Sequence, residues 1–227
     1  MSASLPDTAD LPLFPLGTVL FPGGLLPLQI FEPRYLDLIG RCHREGRPFG
    51  VVTLTQGQEV MRAPGPGQDD LPEAFAATGT LAHILGLERP RPGLMLIRCE
   101  GSRRFRLAGQ QRLKHGLWLG TVAEWLPPDP DLPVPPHLRH VAQAMQVLLD
   151  SWCTEMQSQG LQASALPLLP PHRPEDCGWL ANRWIELLAL GREEQLRLMS
   201  LDNPLLRLEL VADLLEQAHG LVRPALD

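Results

Sequence analysis

The sequence predicts an α+β protein: an N-terminal, mostly antiparallel β half carrying one helix, followed by a small C-terminal α-helical bundle. Two observations carry this. Leu11 to Phe31 runs 21 residues without a charge, long enough for a membrane helix. Its punctuation argues against one: Pro12, Pro15, Pro22 and Pro27 each delete a backbone donor, and Gly17, Gly23 and Gly24 weaken any helix. Such a segment suits short buried strands joined by tight turns, with prolines at edges or bulges. The second observation is a change of period. Pro127, Pro128, Pro130, Pro133, Pro135 and Pro136 make a stiff linker, and beyond it apolar residues recur at helical spacing.

The elements follow in order. Residues 1–10 read as a tail. After the opening strands, Pro33 sits where a first helical turn tolerates proline. Tyr35, Leu38, Ile39 and Cys42 then mark one helix face, and Gly46 stops it. Phe49 to Thr55 is rich in β-formers. Residues 57–72, glycine- and proline-rich with Glu59, Asp69 and Asp70, read as a long exposed loop. Strands are expected over Phe75–Glu88 and Leu94–Glu100, joined by a turn at Arg89–Gly93. A second pair is expected over Arg103–Leu113 and Leu117–Leu126, around Lys114-His115-Gly116. A closed or partly closed β structure protects the edges of such strands most economically.

In the second half, Leu138, Val141, Met145, Leu148 and Trp152 form one stripe. Leu161 to Pro171 is an uncharged connector. A helix is expected to begin near Pro174-Glu175-Asp176, where acids suit the positive end of the dipole, and to carry Leu180, Trp184, Leu187 and Leu188. A short helix over Glu193–Met199 and a last one from Pro204 to about His219 complete the bundle. Asp202 or Asn203 caps that last helix and Gly220 ends it.

Composition narrows the class. The 227 residues, 44% hydrophobic, suffice for a proper core. The net charge of −6 argues against a general nucleic-acid binder. Cys42, Cys99, Cys153 and Cys177 are widely spaced without a CxxC pair, which predicts reduced, mostly buried thiols in an intracellular protein. The N-terminus has no basic stretch ahead of an apolar core, so a secretory signal is not expected.

The wording of the first half carries a resemblance. Phe14-Pro15-Leu16, Leu20-Phe21-Pro22-Gly23, Leu26-Pro27-Leu28 and Ile30-Phe31-Glu32-Pro33-Arg34-Tyr35 fall in an order that resembles the N-terminal substrate-recognition domain of the Lon ATP-dependent proteases, the LON domain. Gly79-Thr80-Leu81-Ala82, the run Arg98–Phe105 and the helical end Asn203–Glu209 resemble its later parts. The resemblance covers Leu11 to Glu216. It implies a twisted pseudo-barrel over 11–127 and a helical subdomain over 128–227, together one LON domain. It also implies a stand-alone, bacterial, cytoplasmic member. In the proteases this domain helps to capture unfolded substrate and holds subunits together.

Candidate chemistry is sparse. Lys114 is the single lysine and is flanked by Leu113 and His115, so the Gly-Lys-Ser/Thr of a phosphate-binding loop is missing. Lon proteases cut peptides with a Ser–Lys pair in a separate domain, and nothing moves that role onto Lys114. No Ser sits in Gly-x-Ser-x-Gly. His137 and His140 have i, i+3 spacing without a third ligand nearby, which favours a solvated helix end over zinc. No catalytic residue, metal or cofactor is therefore assigned.

Three sets of residues remain as candidates. Arg98, Arg104 and Arg106 fall on comparable faces if their strand runs unbroken, within a stretch from Arg89 to His115 holding eight basic residues and one acid, Glu100. They read as a solvated face or an anion-binding patch. Trp118, Trp125, Leu126 and Leu166 could line an apolar protein-binding groove between the halves. Glu32, Pro33, Arg34 and Tyr35 read as a structural motif at the helix entry. The function expected is a non-catalytic module that binds exposed apolar or unfolded polypeptide segments, with a protease or chaperone as a further partner and no membrane contact. The alternatives are a nucleic-acid-binding protein using the Arg98–Arg106 strand, and a small-molecule enzyme with an unrecognised pocket.

Overall fold

The structure, a computed structural model, describes residues 10–56, 74–161 and 166–219. Most of the expected tail, the expected loop over 57–72, the middle of the 161–171 connector and the stop at Gly220 lie outside them. The chain divides into two compact units, Met1–Pro128 and Asp129–Asp227.

The first unit contains β1 (Leu11–Leu16), β2 (Leu25–Ile30), α1 (Pro33–Glu45), β3 (Phe49–Gln56), β4 (Ala74–Arg91), β5 (Leu94–Arg112) and β6 (Trp118–Trp125). The order across the sheet is β2-β5-β4-β3-β1-β6, and β5 also pairs with β6. That extra pairing closes β1, β3, β4, β5 and β6 into a ring, with β2 alongside the first part of β5. All ladders are antiparallel except β1 with β3. The α+β class expected from the sequence is the observed one.

One expectation is corrected. Leu94–Glu100 and Arg103–Leu113 are not two strands but one, the 19-residue β5. Its first part pairs with β2 and its last part with β6, while β4 runs along its other side. Gly101, which reads as a break, is instead a point of close approach. Its N–H donates to the Gly24 carbonyl at 2.9 Å and its carbonyl accepts from Gly23 at 2.7 Å. A Cβ there would lie 2.2 Å from the Phe21 carbonyl oxygen.

Alternation along the strands explains why the opening run carries no charge. Leu11 and Leu13 belong to one core cluster with Val52, Leu81, Phe105 and Val122. Phe14 and Leu16 belong to another, with Ile39 and Tyr35 of α1 and with Phe49, Ile97 and Cys99. Both faces of β1 and β3 are thus buried, and such strands read as continuous apolar runs.

α1 begins at Pro33. It ends where Arg47 N–H donates to the Cys42 carbonyl at 2.9 Å around Gly46, the double-bonded C-terminal closure expected when glycine follows a helix.

The second unit contains α2 (Arg139–Ser158), α3 (Cys177–Leu187), α4 (Arg192–Met199) and α5 (Pro204–His219). Asp176 caps α3 by accepting from Trp179 N–H at 2.7 Å. Asn203, one of the two expected caps, accepts from Leu205 and Leu206 at 3.0 and 3.3 Å. The stripe Leu138, Val141 and Met145 is buried, with Leu149 beside it. At the centre lies Arg207, fully buried. Its guanidinium donates to both carboxylate oxygens of Asp129, at 2.6 and 3.2 Å, and to Asn182 Oδ1 at 3.0 Å. It also donates to the Leu198 carbonyl at 3.2 Å and to the Leu201 carbonyl. Burying a guanidinium is tolerable only when its donors are met in this way.

Candidate functional site

The Glu32-Pro33-Arg34-Tyr35 motif joins three parts of the first unit. Arg34 Nε donates to Glu32 Oε2 at 3.0 Å and Nη1 to the Gly116 carbonyl at 2.6 Å. The guanidinium carbon lies 4.5 Å from the Tyr35 ring centre, and Tyr35 stacks on Phe14 at 4.1 Å. The entry to α1 is thereby tied both to β1 and to the turn before β6.

The three arginines do not form one exposed patch. Arg98 and Arg106 are exposed, but Arg104 is 4% exposed. The strand changes neighbours along its 19 residues: Arg98 lies across from Pro27 and Gly86, Arg104 from Thr80, and Arg106 from Thr78 and Glu124, so positions of equal parity meet different surroundings. Arg106 is also paired with Glu124 at 2.8 Å. Elsewhere in the basic stretch, Arg103 donates to the Leu126 carbonyl at 2.8 Å and Arg112 lies over Trp118.

The groove residues are placed in core packing. Trp118 meets Phe75 edge-on at 5.2 Å, and Trp125 meets Phe105 edge-on at 6.0 Å. Leu126 and Leu166 are 3% and 5% exposed.

Apolar side chains reach the surface at a place the sequence did not single out. The β4–β5 hairpin turns through Pro92 and Gly93, with Arg91 opposite Leu94. Gly93 has φ +78°, the backbone that a turn with proline then glycine requires. Beside the turn is a cleft of about 450 Å³ lined by Leu36 of α1 and by Arg89, Arg91, Leu94 and Met95 of the hairpin. Ile30 is the register partner of Met95, so Phe31, 54% exposed, stands at the same end of the sheet. Leu85, 51% exposed, lies further along β4. The only hint in the sequence was Arg-Pro-Arg-Pro-Gly, which reads as a turn and nothing more. Phe31 was hidden because it ends an apolar run whose other large members are nearly all buried.

All four cysteines are free, and Cys42, Cys99 and Cys177 are buried. Burial pushes the Cys42 thiol up, Cys99 to about 12 and Cys177 to about 11, the last also through Asp176 and Glu209. Such thiols are inert as nucleophiles at neutral pH. Among the described residues, no group of three His, Cys, Asp or Glu side chains is placed to hold a metal ion. His137 lies instead 3.8 Å from Glu209. No helix among them is long and apolar enough to cross a membrane.

Residues 10–217 match the ATP-dependent protease La (LON) substrate-binding domain. The chain belongs to that family. Among solved structures, the Lon LON-type fold is shared with the Lon N-terminal domain protein from Xanthomonas campestris. That likeness has 30% identity and a TM-score of 0.67, covering 90% of this chain and 97% of the other. The N-terminal domain of a Mycobacterium avium complex Lon protease shares the fold at 15% identity and TM-score 0.54, covering 90% and 96%. The Lon protease of Phenylobacterium zucineum is 26% identical over 171 residues, 75% of this chain and 18% of that protein. Lon protease 2 of Myxococcus xanthus is 34% identical over 98 residues, 43% of this chain and 11% of that protein. The chain therefore spans less than a fifth of the length of these protease relatives. The match is to the LON substrate-binding domain, with no protease or ATPase domain matched.

Proposed function

We propose that this LON domain acts as a non-catalytic recognition module that holds exposed apolar segments of unfolded or partly folded polypeptides. The observation that carries the reading is the cleft beside the β4–β5 turn, where Leu36, Leu94 and Met95 form an apolar lining at the end of the sheet at which Phe31 is exposed. A concave apolar site suits a side chain of an extended peptide, and an exposed aromatic at the same end of the sheet offers it a second contact. Membership of a substrate-binding family supports the same reading.

The test is fluorescence anisotropy with a labelled, permanently unfolded polypeptide and its folded parent. Binding of the unfolded form with Kd below about 100 μM, and of the folded form at least tenfold weaker, is expected. Phe31→Ser, a change at an exposed position, should weaken binding about fivefold without altering the melting temperature. Equal affinity for folded and unfolded forms, or none for either, overturns the reading.

A further inference from the structure

The cleft is apolar in its lining and cationic at its rim. Arg89 and Arg91 belong to the lining itself. Arg44, one turn of α1 beyond Gly40, joins them: Arg44 Nη1, Arg89 Nη2 and Met95 Cε come within 3.5, 3.6 and 3.5 Å of the point where a Gly40 Cβ would stand. The absent side chain lets two guanidiniums and the cleft methionine gather over the helix. Like charges held together are unfavourable unless an anion comes between them. Among the described residues, Arg44, Arg89 and Arg91 have no carboxylate partner. Glu45, next to Arg44 on α1, pairs instead with Arg47 at 3.6 Å, and the exposed Asp37 and Glu88 pair with none of the three.

The hairpin tip is also stiff. Pro90 and Pro92 alternate with Arg89 and Arg91, and each proline fixes its φ. The arginines therefore hang from a pre-organised backbone, which lowers the entropy lost on binding. This concentration of positive charge stands on a chain whose net charge is −6.

We infer that the cleft selects polypeptide segments in which an apolar side chain is flanked by carboxylates. The apolar residue enters between Leu36 and Met95, and the neighbouring Asp or Glu groups meet Arg89, Arg91 and Arg44. This rests on the recognition reading above and narrows it to a class of segment.

The experiment uses the full chain and two labelled peptides with the same central Leu-Phe-Leu, one flanked by Asp and Glu, the other by Lys and Arg. An unfolded polypeptide is titrated in parallel. The acidic peptide is expected to bind roughly tenfold tighter at low salt, since several exposed pairs act together. The preference should collapse at about 0.5 M salt. The double variant R89E/R91E should reverse it, with circular dichroism unchanged. Equal binding of the two peptides, or a preference that survives the reversal, overturns this inference while binding of the unfolded polypeptide leaves the recognition reading standing. Loss of all three interactions overturns both. A single-stranded RNA that binds more tightly than the acidic peptide, and competes with it, also overturns the inference in favour of phosphate recognition.

Discussion

Gly79 shows how tightly the interior of the ring is filled. A Cβ at this position would lie 2.5 Å from Phe105 Cζ and 2.6 Å from the Val51 carbonyl oxygen. Gly50 faces the same ring edge, where a Cβ would stand 2.8 Å from Phe105 Cζ. Phe105 is thus accommodated by the missing side chains of β3 and β4. Gly79→Ala forces either the ring or the β3 backbone to shift, and overpacking of this kind costs about 1–3 kcal/mol. Urea unfolding should show a lower midpoint with an unchanged slope. A midpoint equal to wild type would mean that β3 and β4 separate more easily than this packing implies. In the sequence, Gly79 reads only as a small residue in a strand pattern, because its partner is 26 positions away.

The second unit turns on how α3 and α5 are held. Arg207 on α5 reaches Asn182 on α3 and the carboxylate of Asp129 in the proline-rich segment. Neither partner is near it in sequence. Within α3, Arg183 and Glu186 form a pair at 3.0 Å. Burial raises the Glu186 carboxyl from 4.5 to about 7, and Arg183 only partly opposes the shift. The sign follows from proton binding: between these two values the folded state holds a proton that the unfolded chain has released. Stability is therefore greatest below about pH 4.5 as far as this group is concerned, and falls as pH rises through about 7. The loss is on the order of 3 kcal/mol. Glu186→Gln should flatten that part of the stability-against-pH curve in chemical denaturation between pH 5 and 8. A slope identical in wild type and variant would assign it to other groups. The helix itself was legible from Asp176, Leu180 and Trp184, whereas the altered proton affinity depends on what surrounds Glu186 after folding.

For the molecule as a whole, burial of the cysteines makes a countable prediction. Cys153 is half-buried on α2, and the other three are enclosed with raised thiols. A thiol reagent at pH 8 should label one cysteine rapidly in the native protein and four after denaturation. Mass spectrometry of the labelled peptides identifies which one. Fast labelling of Cys99 in native protein would contradict the packing of β5 against α1.

Local pattern was enough to reveal the strands and helices of both halves, the entry and exit of α1 at Pro33 and Gly46, and the LON resemblance. Each of these depends on residues that are neighbours along the chain: a proline that starts a helix, a glycine that ends one, apolar residues at a regular period. Folding settled the rest. The two halves of β5 became one strand because β4 pairs with it from Leu94 to Arg106, across the junction between them. Arg104 became buried while Arg98 and Arg106 stayed exposed, because cross-strand neighbours decide the surroundings of a side chain where parity does not. The cleft arose because α1 and the tip of the β4–β5 hairpin, from Leu36 to Met95 in the chain, meet at one end of the sheet. Periodicity is a one-dimensional signal, and a surface made by segments distant in the chain exists only once their registers are set.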